Sequence, residues 1–569
     1  MKKRNLKYTH LVQMGLFVAA LGVIALLSGR FFFRIDLTSE KRYSLAPSSR
    51  ELLRDLEDVV YVRVYLDGEL PPEFVQFRRS IRELLQEFRA YAGEDLQYEF
   101  INLYEESDEE VRNRMIGEFY DRGLKVTSIQ LRDEQGGTSS RIIFPGAMVS
   151  YRGVEMPVNL LKNNPSLPHQ VNLNNSVETL EYEFISAIHN LTMEEVPRIA
   201  FVEGHGELDS LQTHSLMDEL KNFFQVDRGF INGNVESLLP YKALIIARPV
   251  RPFGEADKFA LDQYIMSGGR VLFLLDPVFS YADSLSGGTT VALANPVGLE
   301  DMLFRYGVRI NYNLVADMQC NLVPVNTAPA GEEPRFTMMP WVYHPLMTGP
   351  GDHPVTRGLN YVKGEFASSV DTLGGAQGTV EKTVLLSTSE NSRTREVPLY
   401  ISMEEVTRQP DPALYNQSHL PVGILLEGNF SSFYRNYPVP PGVLPSDWEV
   451  IKEGGPASIF ILADGDIASN EVRFEQGAMR AQPLGYDRYT RQTFGNREFL
   501  LNLVNYMTDK AGIMELRSRE FRLRLLDREV INDRGKVWRW KTLNMLVPLL
   551  LVIAAGVIIQ MVRKKRYGS

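Results

Sequence analysis

The sequence lacks the residues and motifs that mark a disulfide-bonded or hydrolytic protein. Only one of its 569 residues is cysteine, Cys320, so no disulfide can form within the chain. No Walker motif occurs, which excludes a P-loop ATPase, and the absence of Gly-x-Ser-x-Gly and Gly-x-Cys-x-Gly leaves no nucleophile elbow. We therefore expect a non-enzymatic protein that has no cofactor, no catalytic residue and no metal.

Basic residues are outnumbered, and many of them lie at the two ends. The chain has 61 Lys and Arg against 71 Asp and Glu, for a formal net charge of −10. The two tails contain no acid, and their cations are Lys2, Lys3, Arg4, Lys7, Arg563, Lys564, Lys565 and Arg566. The region between them is thus more acidic than the whole chain. An acidic body repels phosphate, so nucleic acid is excluded as a partner.

Two long uncharged runs lie next to these basic tails. Leu11–Leu27 follows the first tail, and Leu543–Val562 lies between Trp538 and Trp540 on one side and the second tail on the other. Their lengths predict two transmembrane helices, the first an uncleaved signal anchor. Because short basic tails stay in the cytoplasm, both termini are expected there, with the large body in the periplasm of a two-membrane bacterium. The predicted location is the inner (cytoplasmic) membrane, whose lipid is a partner.

The body is predicted to be α/β, in two parts. Residues 31–174 alternate strand and helix signals in the order βαβαββ, for which a thioredoxin-like fold is one candidate; it has no cysteine for redox chemistry. A polar connector, Lys162–Asn174, then precedes a helix opened by Asn175. Residues 175–512 predict a doubly wound domain, with a helix over Asp209–Phe224 and nearly continuous apolar strands at residues 243–248 and 270–276.

The remaining boundaries follow from changes in these signals. An insertion is predicted over about residues 318–417, where Pro- and Gly-rich loops alternate with isolated strands. Residues 1–30 form the first tail and anchor, residues 513–542 a connector, and residues 543–569 the second anchor and tail.

The sharpest polar cluster is Glu203, Gly204, His205, Gly206 and Glu207, which follows a predicted strand. Parallel sheets bind ligands at the carboxyl ends of their strands, so this loop is a candidate ligand or partner site, together with Asp276 and Asp464 after two further strands. A phosphate cradle is disfavoured by the surrounding carboxylates, and a metal site using His205, Glu207 and Asp209 with His214 is the second interpretation. The simplest interpretation is a tight turn in which Asp209 caps the next helix.

Other polar residues give weaker signals. His214 lies on the apolar face of the predicted helix and is expected to be partly buried. Cys320, in a loop without elbow glycines, is expected to be an inert thiol, and His344-Pro345 and His353-Pro354 are expected in loops. Asp464-Gly465-Asp466 could bind a cation, although a turn with a helix cap is the more economical interpretation.

Several short motifs, in this order, resemble the gliding-motility-associated ABC transporter auxiliary or substrate-binding protein family (GldG). They are Asp36–Leu45, Pro71–Phe74, Leu180–Glu183, Gly204–Glu207, His353–Thr356 and Asn496–Leu500. The resemblance implies a subunit that works with a separate permease and a separate cytoplasmic ATPase. It also implies a central domain similar to glutamine amidotransferases that have lost the catalytic cysteine, and it supplies no site residues and no cargo.

The sequence thus predicts a doubly anchored, non-catalytic extracytoplasmic subunit that couples a permease and an ATPase to an envelope substrate or partner. Gly15, Gly22 and Gly556 could allow the anchors to pack closely. Two alternatives stay open, namely a metal-assisted envelope hydrolase using the His205 loop and a purely structural envelope scaffold.

Overall fold

A computed structural model of the protein describes most of the chain between residues 44 and 567. It covers residues 44–518, residues 534–567 and ten residues between 12 and 23, and the gaps in the longest range are 106–107, 133–137, 163, 165–166, 281–284, 286–287, 329–331, 375–379, 408–409, 444–447, 476 and 510. The chain divides into two compact units, residues 1–36 with 43–519 and residues 37–42 with 520–569. Each unit is described by itself, and the mixed α/β class predicted from the sequence is confirmed.

The first part of the larger unit is built on a four-stranded sheet in the order β2-β1-β5-β6. Strands β1 and β2 are parallel, whereas β5 is antiparallel to both β1 and β6. Strands β3 and β4 form a separate hairpin. The elements are α1 (Pro47–Arg54), β1 (Val60–Val64), α2 (Pro72–Ala92), β2 (Leu96–Phe100), α3 (Glu109–Asp121), β3 (Thr127–Arg132), β4 (Thr138–Ile143), β5 (Gly146–Tyr151), β6 (Val154–Asn159) and α4 (His169–Thr192).

Helix α4 begins six residues before the predicted start at Asn175. The side chain of Asn172 donates to the carbonyl of Asn164 at 2.8 Å and accepts from its N–H at 3.1 Å. These bonds tie the predicted connector to the first turn of the helix, which the polar composition of the segment does not reveal. The predicted domain boundary at residues 174 and 175 therefore falls within α4.

Helix α4 packs into the core of the small sheet. Phe184, Ile185 and Ile188 are buried in one cluster with residues of β1, α2 and β5. The ring of Phe184 lies edge-on to Phe88 of α2, with a centroid distance of 6.3 Å. Every third or fourth residue of α4 thus faces this core, as the helical period requires.

The second part contains a seven-stranded sheet in the order β19 (Glu381–Ser387), β22 (Pro421–Ser431), β23 (Glu453–Leu462), β10 (Arg270–Leu274), β9 (Ala243–Ala247), β7 (Arg198–Glu203) and β8 (Gln225–Phe230). The five strands from β23 to β8 are parallel, and β22 is antiparallel to both β23 and β19. In chain order, this part begins with β7 (Arg198–Glu203), α5 (His214–Leu220), β8 (Gln225–Phe230), β9 (Ala243–Ala247), α6 (Glu255–Met266) and β10 (Arg270–Leu274).

Helices cover both faces of this sheet. On β9, Leu244 and Ile246 belong to one core together with α6, whereas Ile245 and Ala247 belong to the other core. All five residues of β9 are buried, as expected for a parallel strand covered on both sides. The two-residue period of the strand therefore fixes which side chains meet which helices.

Helix α5 is shorter than the predicted Asp209–Phe224. The carboxylate of Asp209 accepts the N–H groups of Leu211 and Gln212 at 2.9 and 2.8 Å, which closes a turn ahead of the helix. His214, predicted to be partly buried, has a side chain that is 55% exposed and pairs with Asp218 at 3.1 Å. That expectation was wrong because α5 begins at His214 itself.

The region between β10 and β22 is richer in strands than the sequence predicts. It forms several two- and three-stranded sheets, and a core that contains Trp341 and Tyr343. Its elements are β11 (Val278–Phe279), β12 (Thr289–Ala294), α7 (Glu300–Tyr306), β13 (Val308–Ile310), β14 (Asn313–Asp317), β15 (Cys320–Asn326), β16 (Phe336–Met347), β17 (Val362–Lys363), β18 (Val370–Thr372), β19 (Glu381–Ser387), β20 (Ser392–Glu396), β21 (Leu399–Ser402) and α8 (Glu404–Thr407). Many of these strands pair with strands that are distant in sequence, so the local sequence pattern predicts the strands only as isolated elements.

The last elements complete the large sheet and end in an apolar helix. They are β22 (Pro421–Ser431), β23 (Glu453–Leu462), β24 (Val472–Glu475), β25 (Ala478–Ala481), β26 (Tyr486–Asp487), β27 (Gln492–Thr493) and α9 (Asn496–Thr508), followed in the smaller unit by α10 (Arg534–Tyr567). Within α10, Val537–Val562 is long and apolar enough to cross a membrane, and none of its most apolar window is buried. Ten residues of the first predicted span, Leu11–Leu27, are described, and all ten are helical and exposed; the other seven lie outside the described residues.

Replacing Phe184 with alanine tests whether α4 belongs to the core of the small sheet. We expect Phe184→Ala to lower the free energy of unfolding of this part by about 3–5 kcal/mol, because a buried aromatic ring leaves a cavity. Tyr120→Ala, at a side chain that is 62% exposed, should change it by less than about 0.5 kcal/mol. Urea unfolding of both full-length variants in detergent measures the difference, and equal effects would show that α4 does not pack there.

Candidate functional site at the carboxyl ends of the parallel strands

The parallel strands of the large sheet all end at one edge, and polar residues follow them. Glu203 ends β7, Arg248 follows β9, Asp276 comes two residues after β10, and Asp464 comes two residues after β23. This is the edge at which open α/β sheets bind ligands. The structure therefore brings the carboxyl-end residues predicted from the sequence to one edge.

Asp276, Asp464 and Asp466 form a carboxylate cluster there. One oxygen from each lies within 4.8 Å of the others, which is the spacing of ligands around a single cation. Backbone N–H groups already occupy part of this cluster: Gly465 donates to Asp276, and Asp466 donates to Asp464 at 3.1 Å. The guanidinium of Arg248 pairs with Asp466. These donors balance part of the charge that a metal ion would neutralise.

The pKa values of all three carboxyl groups are raised. Burial, and then the charge of Asp466, raise the pKa of Asp276 to about 8. Burial also raises the pKa of Asp464 and of Asp466. The cluster therefore holds protons near neutral pH and carries fewer than three negative charges.

The predicted insertion contributes a second ring of polar residues to this cluster. The N–H of Glu365 donates to Asp464 at 2.9 Å, and the Glu365 carboxylate pairs with Lys363 at 2.8 Å. Burial alone would raise the pKa of Glu365, but the charge and hydrogen bond of Lys363, together with His344 and Arg248, outweigh it and the pKa falls to about 2. A Cβ at Gly364 would lie 2.6 Å from the Asp464 carboxylate, so the approach of the two segments requires glycine.

His344 also belongs to this second ring, which the sequence did not predict. It lies on strand β16, not in a loop, and burial lowers its pKa to about 4. Its Nδ1 is buried and has no hydrogen-bond partner in the described part of the chain. No local signal could have found this residue, because it is more than a hundred positions from Asp464.

The Glu203–Glu207 loop forms a separate, tightly bonded turn. The ring nitrogens of His205 face two carboxylates, with Nδ1 3.0 Å from Glu207 and Nε2 3.2 Å from Asp257. The ring stacks on Phe253 at a centroid distance of 3.6 Å, and Glu203 pairs with Arg228 at 2.6 Å. Both nitrogens of His205 are therefore engaged within the protein, an arrangement typical of a structural turn.

The charge of His205 contributes to this turn. Burial alone would lower its pKa, but the hydrogen bonds to Asp257 and Glu207 outweigh burial and raise the pKa to about 9. Gly204 and Gly206 have φ values of 125° and 78°, which favour glycine at both positions. The loop is thus held by a protonated histidine between two carboxylates.

The loop after β9 connects this turn to the carboxylate cluster. The side chain of Arg248 pairs with Asp466, while the N–H groups of Val250 and Arg251 donate to the carbonyl of His205 at 2.9 and 2.8 Å. The residues predicted as one candidate site therefore fall into two groups joined by one loop.

Cys320 lies apart from both groups as the first residue of β15, not in a loop. Burial, and then the nearby Asp317, raise the pKa of its thiol to about 12. Because the thiolate is the nucleophilic form, this cysteine is poorly suited to covalent catalysis.

Comparison with known proteins identifies the class. The chain belongs to a family described as an ABC-type uncharacterized transport system, whose profile matches residues 196–503, more than half of the chain. A domain of unknown function matches residues 39–150. Among curated proteins, none matches the chain significantly. One solved structure it is similar to, described as "mmIFT52 N-terminal domain", is 13% identical with a TM-score of 0.31, over 55% of this chain and 97% of that one.

The stability conferred by His205 should depend on pH. Because its folded pKa is raised from the ordinary 6.5 to about 9, its contribution is fully present below pH 6.5 and is lost as the pH rises through about 9. At about 1.4 kcal/mol per pKa unit, the contribution is a few kcal/mol.

The measurement is the melting temperature from pH 6 to pH 9.5 for the wild type, His205→Gln and His214→Gln. The wild type should lose stability over this range relative to His205→Gln, whose turn no longer titrates. His214→Gln alters an exposed histidine and should follow the wild type. A constant difference between wild type and His205→Gln at every pH would contradict the assignment of a charged His205.

Asp276→Asn should stabilise the protein at neutral pH. A raised folded pKa means that the native state binds more protons, so wild-type stability falls as the pH rises from about 4 to about 8. Asparagine keeps an oxygen for the Gly465 N–H but needs no proton. We expect the free energy of unfolding to rise by about 1–3 kcal/mol at pH 7.5 and to change little at pH 4.5. Urea titrations at both pH values measure it. A lower free energy of unfolding at pH 7.5 would show that the ionised carboxylate is required.

Proposed function

We propose that the protein is a non-catalytic, membrane-anchored accessory subunit of an ABC transport system. The observation that carries the proposal is the family match over residues 196–503. It is supported by the exposed apolar segment Val537–Val562, which has the length and composition of a membrane span. The absence of a Walker motif from the sequence requires that any ATP hydrolysis come from another subunit.

We further propose a gliding-motility-associated type of system, with both termini in the cytoplasm and the body in the periplasm. The motif order from Asp36–Leu45 to Asn496–Leu500 supports the type, and the basic tails beside the two apolar runs support the orientation. In this arrangement a permease and an ATPase act on the body, and energy reaches it through the membrane helices. Gly556 has open space around it in α10, which suits close packing against a permease helix.

The fold assignments form part of the same proposal. The small sheet combines a parallel βαβ unit (β1, α2 and β2) with an antiparallel pair (β5 and β6), which supports a thioredoxin-like scaffold without redox cysteines. The central parallel sheet supports an amidotransferase-like domain. The raised pKa of Cys320 and the engaged nitrogens of His205 support a role without catalysis.

The test is purification of the tagged full-length chain in a mild detergent, with mass spectrometry and metal analysis of one sample. We expect a multi-span permease and an ATPase to co-purify, without stoichiometric metal. A chain recovered alone with one metal per molecule would instead favour an enzyme.

A matched variant tests the role of α10. Replacing residues 537–562 with an unrelated apolar helix of equal length should keep the protein in the membrane but reduce recovery of the permease several-fold. Full recovery would show that α10 is only an anchor. If ATPase mutations leave the protein's cellular role unchanged, a structural scaffold becomes the better interpretation.

A further inference from the structure

A cavity of about 370 Å³ lies within the larger unit, where α4 and β6 of the small sheet meet α5 and α9 of the large one. This volume is in the range of small-molecule sites. Polar and apolar groups share its walls about equally, with several asparagines beside the rings of Tyr182 and Phe223. Nine charged side chains line it: Lys125, Lys162, Glu178, Glu183, Glu219, Arg357, Arg497, Glu498 and Arg517. Cations outnumber carboxylates by one.

Six of these charges form pairs across the cavity wall. Lys162 lies 2.6 Å from Glu183, Arg357 lies 3.0 Å from Glu178, and Arg497 lies 3.4 Å from Glu219. These pairs join α4 to the loop that precedes it and to the loop between β16 and β17, and they join α5 to α9. The role of these six charges is therefore explained by the ion pairs that hold the elements together. Three charged residues of the lining are not in such pairs within the described ranges: Lys125, Arg517 and Glu498.

Arg517 is the most deeply buried of the remaining charges, at 6% exposed. Its guanidinium lies over the ring of Tyr182, 5.3 Å from the centroid, and Nη2 donates to the carbonyl of Arg357 at 3.3 Å. Its Nε has no hydrogen-bond partner among the described residues. A buried guanidinium with an unused donor is costly, and an anion that meets the part of this side chain lining the cavity would offset that cost.

Glu498 is the one cavity carboxylate that is not part of an ion pair among the described residues, although the charges of Lys125 and Arg517 act on it. No ion pair within 4 Å reaches it in the described part of the chain. Loss of solvation in the cavity would by itself raise its pKa, but the charges of Lys162, Lys125 and Arg517 together lower it. Glu498 is thus the carboxylate that offsets these three cations, and the lining as a whole keeps one more cation than carboxylate.

We propose that this cavity binds a small molecule through an oxyanion group, a carboxylate or a phosphate, that pairs with Arg517 and Lys125. The planar fork of arginine suits two oxygens of such a group, and an exposed lysine such as Lys125 can add a second charge. Glu498 limits the affinity by repelling the anion. The inference rests on the cavity alone and holds whether or not the chain serves a transporter.

The test uses two probes, inorganic phosphate and succinate, titrated into the full-length protein in detergent by isothermal calorimetry at constant ionic strength. We expect saturable binding of at least one probe with one site per chain, whereas chloride at the same concentration should give no saturable signal. The stronger probe identifies whether phosphate or carboxylate is preferred. Failure of both probes to bind the wild type and Glu498→Gln would overturn the proposal.

Three variants locate the site. Arg517→Gln and the more exposed Lys125→Gln should each weaken binding about tenfold. Glu498→Gln should tighten binding several-fold, which a merely structural role of Glu498 would not produce. Arg309→Gln, which removes an exposed ion pair to Asp371 outside the cavity, should leave binding within about twofold.

These variants also separate binding from folding. The melting temperature without probe shows whether Arg517→Gln is folded, and Lys125→Gln serves as the test if it is not. Unchanged binding in Lys125→Gln, or weaker binding in folded Glu498→Gln, would contradict the proposed role of the cavity. Neither result depends on recovery of a permease or an ATPase.

Discussion

Burial of the central parallel strands on both faces is the constraint from which the rest of the larger sheet follows. Strand β9 has no exposed residue, and its alternate side chains enter two separate cores. Polar groups can therefore be placed only at the strand ends. At the carboxyl ends this concentrates Asp276, Asp464 and Asp466 so closely that burial raises the pKa of all three, and neighbouring carboxylates raise it further. The burial of the sheet is therefore enough to explain why these carboxylates lie together, whether or not they bind a ligand.

Helix α4 links the small and large sheets because its faces have different chemistry. Phe184 and Ile185 enter the small core, while Glu178 and Glu183 pair with Arg357 and Lys162 at the cavity. The carboxylate of Glu181 also accepts the N–H of Ala46 and the hydroxyl of Ser49 at 2.7 and 2.6 Å, at the start of α1. The position of one helix thus determines the small core, the start of the body and the cavity wall.

The sequence predicted those features that depend on neighbouring residues. The apolar strands β9 and β10, helix α9 and the apolar C-terminal helix follow from local period and composition. The start of α4 was missed because Asn172 bonds to Asn164 through side-chain geometry, not through an apolar pattern. The length of α5 was overestimated for the same reason, since Asp209 closes a turn that resembles a helix cap.

The candidate site was only partly predictable, because its parts come from distant segments. Glu203–Glu207, Asp276 and Asp464 could be placed at one edge from strand order alone, but His344, Lys363 and Glu365 reach it through long-range pairing of the insertion. The cavity at α4 gave no sequence signal at all, since Arg517 and Lys125 are separated by nearly four hundred residues.

The two polar regions also differ in how far the protein satisfies its own charges. At the strand ends, the carboxylates accept hydrogen bonds from backbone N–H groups, pair with Arg248 and bind protons. A ligand would have to displace these groups. At the cavity, Arg517 keeps a buried donor unused and Glu498 remains unpaired within the described residues. A buried guanidinium that no carboxylate among the described residues pairs with within 4 Å is the stronger physical reason for a ligand. It lies at the cavity, away from the edge to which fold-based reasoning points.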